Sequence, residues 1–96
     1  MVRSFQPGDY AVVQVASGET VVISGHPADR GTFERFATAM ERPDLLDDPR
    51  FVDVAARLAH LEELRQEIAA FAADVADAAT IEERFAAQEL AVGVLR

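Results

Sequence analysis

Residues 41–51 read ERPDLLDDPRF, with two prolines, four acids and two arginines in eleven residues. Pro43 and Pro49 each stand where a first helical position is tolerated, because the amide that proline lacks would have no partner there. Asp47 and Asp48, just before Pro49, are placed to accept hydrogen bonds from the free amides of the next turn and to favour its positive end. Leu45, Leu46 and Phe51 are the apolar anchors. A helical pattern runs into the stretch and longer ones run out of it, so it is the elbow of the chain.

On the N-terminal side, Phe33, Phe36, Ala37 and Met40 recur at i, i+3, i+4 and i+7 and share one helical face, with Glu34, Arg35 and Glu41 off it. This predicts a helix from Ala28 or Thr32 to Glu41, stopped because Pro43 disfavours helix at Arg42. Further upstream, YAVVQVA (10–16) and TVVIS (20–24) are rich in β-branched residues, which suit a pleated, half-buried surface. Ser17-Gly18-Glu19 supplies a glycine for a tight reversal, so the two runs read as an antiparallel hairpin. Two strands alone are marginal in water and need helices to pack on. Residues 1–8 read as a lead-in with a turn signal at Gln6-Pro7-Gly8.

On the C-terminal side the pattern is helical from Phe51 to about Ala76, with a break near Ala59-His60. Leu61, Leu64, Ile68, Phe71 and Val75 form the apolar stripe, and Glu62, Glu63, Arg65, Gln66 and Glu67 take the solvated side. A last helix begins at Asp77, or at Thr80 with Glu83 as a capping box, and turns Ile81 and Phe85 inward. Leu90–Arg96 (LAVGVLR) reads as a closing strand beside the hairpin. The fold class is α+β: a small antiparallel sheet, made of an N-terminal hairpin and a C-terminal strand, packed against three to four helices.

The chain of 96 residues is one domain near the small end of what a single core supports. Half of it is apolar and about a quarter is charged, which is a globular composition. Seventeen acids face nine bases, a net charge of −8 that argues against nucleic acid and anionic membrane as partners. No apolar run approaches the roughly 20 residues of a membrane span, and MVRSFQPGDY has no signal-peptide core. With no cysteine there is no disulfide framework and no thiolate chemistry, and the expected location is the cytoplasm.

No constellation for catalysis stands out. The five glycines, at 8, 18, 25, 31 and 93, are never grouped as a phosphate loop. His26 and His60 have no metal-ligand spacing around them, so no metal is expected. Nothing resembles a nucleophile elbow. Asp47 and Asp48 are adjacent and do not converge on one point, so a capping role accounts for them better than an acid/base couple. The candidate ligand-binding residues are Arg42, Arg50 and Arg57, which flank the elbow as a possible anion patch; the competing role is pairing with the neighbouring aspartates.

Several stretches together resemble the class III CoA-transferases, the family of carnitine and formyl-CoA transferases and α-methylacyl-CoA racemase. Met40-Glu41-Arg42-Pro43-Asp44-Leu45 is similar to the family's Leu-Gly-Arg-Pro-Asp-Leu, and Asp48-Pro49-Arg50-Phe51 to its Asp-Pro-Arg-Phe. Arg57 and Glu63-Leu64 fit its arginine, asparagine and Glu-Leu pattern, with His60 at the asparagine. Val21–Ile23 is similar to its second hairpin strand, and Ala91–Arg96 stands where it has Pro-Ala-Gly-Pro-Val-Arg. Glu41 replaces a glycine suited to a left-handed helix end, so that end must close differently or be strained.

The resemblance covers the family's small domain. It implies that the acyl-carrying aspartate and most of the CoA site belong to a large domain, so no catalytic residue is carried over. The chain alone then has no cofactor, and CoA or acyl-CoA binds only if a large domain joins it. Alternatives are a stand-alone interaction or assembly module, or a small-molecule binding protein using the cleft between sheet and helices. Expected partners are a large-domain protein or a second copy as a homodimer.

Overall fold

The computed structural model describes residues 10–95. Along them run β1 (Tyr10–Gln14), β2 (Thr20–Ser24), α1 (Thr32–Ala39), two 3-10 turns (Pro43–Asp47 and Pro49–Phe51), α2 (Val54–Ala59), α3 (Leu61–Ala73), α4 (Ala78–Ala86) and β3 (Val92–Leu95). This is the expected α+β architecture, with a three-stranded antiparallel sheet in the order β1-β2-β3. The turn signal at Gln6-Pro7-Gly8 and the final Arg96 lie outside the described residues.

The hairpin register pairs Val13 with Val21 and Ala11 with Ile23, which puts all four buried side chains on one face of the sheet. The closing strand adds to β2, with Val21 opposite Val94 and Ile23 opposite Val92. Helix α3 packs beneath β1, and α4 beneath β2 and β3. Between sheet and helices, Phe36 and Phe85 meet edge to face at 5.4 Å and Phe33 lies 6.0 Å from Phe51. Burying such a ring contributes about 1.5–3 kcal/mol. The four residues expected on one face of α1 are all buried, as are Leu64, Ile68, Val75, Ile81 and Phe85, whereas Leu61 and Phe71 are half-buried.

Two ends that differ from the pattern-based expectation share one tertiary cause. Strand β1 ends at Gln14 and α3 at Ala73, earlier than Ala16 and Ala76. The two ends bond to each other instead: the Ala16 amide donates to the Val75 carbonyl (2.8 Å) and the Ser17 amide to the Ala76 carbonyl (3.0 Å). Helix α1 starts at Thr32, behind Gly31, whose amide donates to Glu34 Oε1 at 2.7 Å. Helix α4 is capped by Asp77, whose Oδ1 accepts from the Thr80 amide (3.0 Å). A second acceptor arrives from the hairpin turn, where Glu19 Oε1 takes the Ala78 amide at 3.0 Å.

Both α1 and α4 end with a non-glycine residue in left-handed conformation. Glu41 has φ 57° and Glu89 φ 62°. After α1, the Glu41 amide donates to Thr38 O (3.1 Å) and the Arg42 amide to Ala37 O (2.9 Å). After α4, the Glu89 amide donates to Ala86 O and the Leu90 amide to Phe85 O, both at 2.9 Å. These are the paired bonds of a Schellman ending. Of the two ways in which Glu41 was expected to stand in for a glycine, strain is the one adopted. Gly25, by contrast, meets its requirement without strain. It has φ 97°, and a Cβ there would lie 3.1 Å from Thr32 Cγ2.

Candidate functional site

The elbow brings two of the three candidate arginines to one carboxylate. Pro43 opens the first 3-10 turn and Pro49 the second, so the chain reverses twice within a few residues. Arg42 forms a forked pair with Asp44, donating from Nε to Oδ1 (2.9 Å) and from Nη2 to Oδ2 (2.8 Å). Arg50 does the same with Asp48, at 3.1 and 2.8 Å. Glu67 of α3 joins the two pairs: its Oε1 accepts from Arg42 Nη1 at 3.0 Å and its Oε2 from Arg50 Nη2 at 3.3 Å. Such forked, charge-assisted bonds hold geometry better than single contacts.

The electrostatics follow from the pairing. The Arg50 side chain and backbone amide, both bonded to Asp48, bring that carboxyl down to about 2. The Arg42 guanidinium likewise lowers Asp44. Both arginines are raised above their ordinary value, chiefly by the bonds to Asp44 and Asp48. Asp48 also caps the second turn by accepting the Arg50 amide at 2.9 Å. Asp47, the other acid expected to cap, is exposed and the Asp48 carboxylate fills the role alone.

Arg57 stands in a different environment. It is 5% exposed, buried on α2 beneath the elbow. Its Nε donates to the Asp53 carbonyl at 3.1 Å and its guanidinium lies 4.5 Å from the centroid of Phe33. Its Nη1 is buried without a hydrogen-bond partner. On the other side of the Phe33–Phe51 pair, Arg50 stacks on Phe51 at 4.6 Å. Arg57 is therefore part of the packing that supports the elbow rather than a third member of the cluster. His60, at the junction of α2 and α3, makes no cap bond; its Nδ1 lies 2.8 Å from Glu63 Oε2, and this bond lowers the Glu63 carboxyl.

Shallow depressions border these elements, one of them, of about 340 Å³, lined by Glu41, Pro43 and Leu46 of the elbow. A groove of about 310 Å³ is lined by Arg42, Phe71, Asp74, Val75 and Arg84. The cleft between sheet and helix, at β1 and α3, holds about 200 Å³, below the roughly 300–1,000 Å³ of small-molecule sites. Among the described residues no group of three or more His, Asp or Glu is arranged to hold a metal ion. No described helix is long and apolar enough to cross a membrane.

Comparison with known families gives one match: the model of CoA-transferase family III covers residues 3–96. The chain belongs to CoA-transferase family III. No curated protein and no solved structure matched it. The family match spans the hairpin, the elbow and the closing strand, so the arginine cluster lies inside the region that defines membership. Arg42 and Arg50 were visible in the sequence beside their aspartates. Glu67 was assigned only to the solvated side of its helix, and no local signal links it to arginines 25 and 17 residues away.

Proposed function

We propose that this chain is the non-catalytic small domain of a family III CoA-transferase or acyl-CoA racemase, inactive until a large domain supplies the acyl-carrying aspartate and the main CoA site. The observation that carries this reading is the closure of the arginine cluster on itself. Arg42 and Arg50 each hold two carboxylates, so a CoA phosphate would have to displace Asp44, Asp48 or Glu67 to reach them. Of these carboxyls Asp44 and Asp48 are lowered, and so, away from the cluster, are Glu63 and Asp77. A carboxyl that works as a general acid or base near neutral pH is ordinarily raised.

In this reading the elbow is a structural clasp that fixes α1 against α3, and the domain's contribution to catalysis is made through its surface. Calorimetric titration of the 96-residue chain with CoA and with acetyl-CoA tests it. The expected result is no heat of binding at ligand concentrations of about 1 mM. Binding that weakens on charge reversal at Arg42, Arg50 or Arg57 would overturn the reading and make those residues a phosphate site in their own right.

A further inference from the structure

Helix α1 ends on a residue whose strain the fold itself does not require. Glu41 stands at φ 57°, where glycine would close the helix without a clash. Strain of this kind persists where the surroundings over-determine it, and it gathers at binding sites. The Glu41 side chain holds Arg84 of α4. Its Oε2 accepts from Arg84 Nη1 at 2.7 Å, and the same nitrogen donates to the Ala39 carbonyl at 3.3 Å. Arg84 is thus fixed through one nitrogen, with its guanidinium 5.7 Å from the centroid of Phe71. Among the described residues its Nε and Nη2 have no hydrogen-bond partner.

Arg84 and Phe71 line the groove of about 310 Å³ together with Arg42, Ala70, Asp74 and Val75. The three charged residues differ in what they leave open. Arg42 has all three guanidinium nitrogens bonded to Asp44 or Glu67 and serves as a wall. Asp74, exposed just past the end of α3, makes no ion pair among the described residues, and its carboxylate accepts no hydrogen bond there. Arg84 therefore offers an open cation and Asp74 an open anion, with Ala70, the Phe71 ring and Val75 as the apolar remainder. The volume stands at the low end of the roughly 300–1,000 Å³ of small-molecule sites. Neither of the other two depressions combines these features. The cleft at β1 and α3 is smaller, and the groove beside Pro43 and Leu46 presents no cation.

The geometry points to a site for a small zwitterion, an α-amino acid with an apolar side chain. The ligand carboxylate takes the Nε and Nη2 hydrogens of Arg84, a fork that suits two oxygens. The ammonium pairs with Asp74, and the side chain lies on Phe71 and Val75. A ligand with only a negative charge would be repelled by Asp74 and one with only a positive charge by Arg84, so the groove selects for both on one small frame. Glu41 acts as a positioning residue, and its strained backbone is the consequence. Glycine at that position would relax the helix end and release Arg84. Both charged groups stay open to solvent, so binding is weak, with a dissociation constant on the order of 1 mM.

Backbone amide NMR of the 96-residue chain, titrated with L-phenylalanine, tests this. The expected result is a set of saturable shifts centred on residues 70–75 and Arg84, half complete at about 1 mM ligand. 3-Phenylpropionate lacks the ammonium and phenylalaninamide lacks the carboxylate, and each should bind about tenfold more weakly. Asp74→Asn should weaken L-phenylalanine about tenfold and leave 3-phenylpropionate no weaker, whereas Arg84→Gln should do the same for L-phenylalanine and phenylalaninamide. The spectra themselves show whether each variant is folded. Glu41→Gly should bind about threefold more weakly while unfolding at an equal or higher temperature, a split that a merely structural role would not give. An absence of shifts at about 20 mM L-phenylalanine overturns the inference. So do shifts centred away from the groove, analogues that bind as tightly as L-phenylalanine, and an Asp74→Asn chain that binds it unchanged. None of these outcomes bears on CoA binding, so this inference and the proposed function fail separately.

Discussion

Glycine in place of Glu89 should stabilise the domain, and the amount can be worked from the backbone. Glu89 closes α4 with φ 62°, a conformation that places Cβ against the following carbonyl at a cost of about 1–2 kcal/mol for an L-residue. Glycine is free of that clash but loses about 0.5–1 kcal/mol through the greater freedom of the unfolded chain. The carboxylate offsets little of this, because its 3.7 Å approach to Arg35 joins side chains that are 50% and 82% exposed. The net gain is about 0.5–1 kcal/mol, which in a domain of this size raises Tm by roughly 2–8 °C.

Glu41→Gly relieves the same strain at φ 57°. It also removes an ion pair in which Arg84 Nη1 donates to Glu41 Oε2 at 2.7 Å. An exposed pair of this kind is worth about 0.2–1 kcal/mol, so Glu41→Gly should gain less than Glu89→Gly. The assay is reversible thermal unfolding by circular dichroism, with Glu89→Ala as the control, since alanine keeps the Cβ and should leave Tm unchanged. A Tm that falls with Glu89→Gly, or that rises equally with Glu89→Ala, would refute the argument from backbone strain.

Three further outcomes are expected. The Asp44, Asp48, Glu63 and Asp77 carboxyls are held below their ordinary values, so their stabilisation is complete above the unfolded carboxylate range and is lost as pH falls through the folded values. The urea midpoint should therefore be level down to about pH 5 and drop steeply towards pH 2, and a flat profile across that range would contradict the pairing. Glu19→Ala removes the acceptor that the hairpin turn lends to α4 and should lower unfolding free energy by about 1 kcal/mol in urea titration, whereas Glu19→Gln keeps an acceptor oxygen and should lose less. Phe85→Ala, at a fully buried ring, should remove about 3–5 kcal/mol; against a total of about 5–15 kcal/mol, its urea midpoint should fall by a large fraction.

Much of the candidate site was legible because its parts are local. Arg42 with Asp44, and Arg50 with Asp48, are two residues apart on either side of a proline, and a proline-started turn folds such neighbours together. The separation of Arg57 from them was not legible. A burial-dependent choice between solvent and the face of Phe33 depends on what α1 and the second 3-10 turn bring to that place. The same holds for α4, where Asp77 and Thr80 offered equal local caps. Thr80 became part of the first turn once Glu19, 59 residues away, accepted the Ala78 amide.

By itself the sequence determined the periodic parts of this protein: a hairpin of β-branched residues, an amphipathic α1, a break at Ala59-His60, a long apolar stripe and a closing strand. These follow from side-chain spacing and from the backbone limits of proline and glycine, which act within a few residues. The tertiary structure alone decided where α3 yields to the hairpin at Val75 and Ala76, and that Glu67 completes the arginine cluster. It also decided that Glu41 and Glu89 carry left-handed strain, and that β3 closes the sheet beside β2. Each of these depends on hydrogen bonds and burial between segments far apart in the chain, which no local pattern encodes.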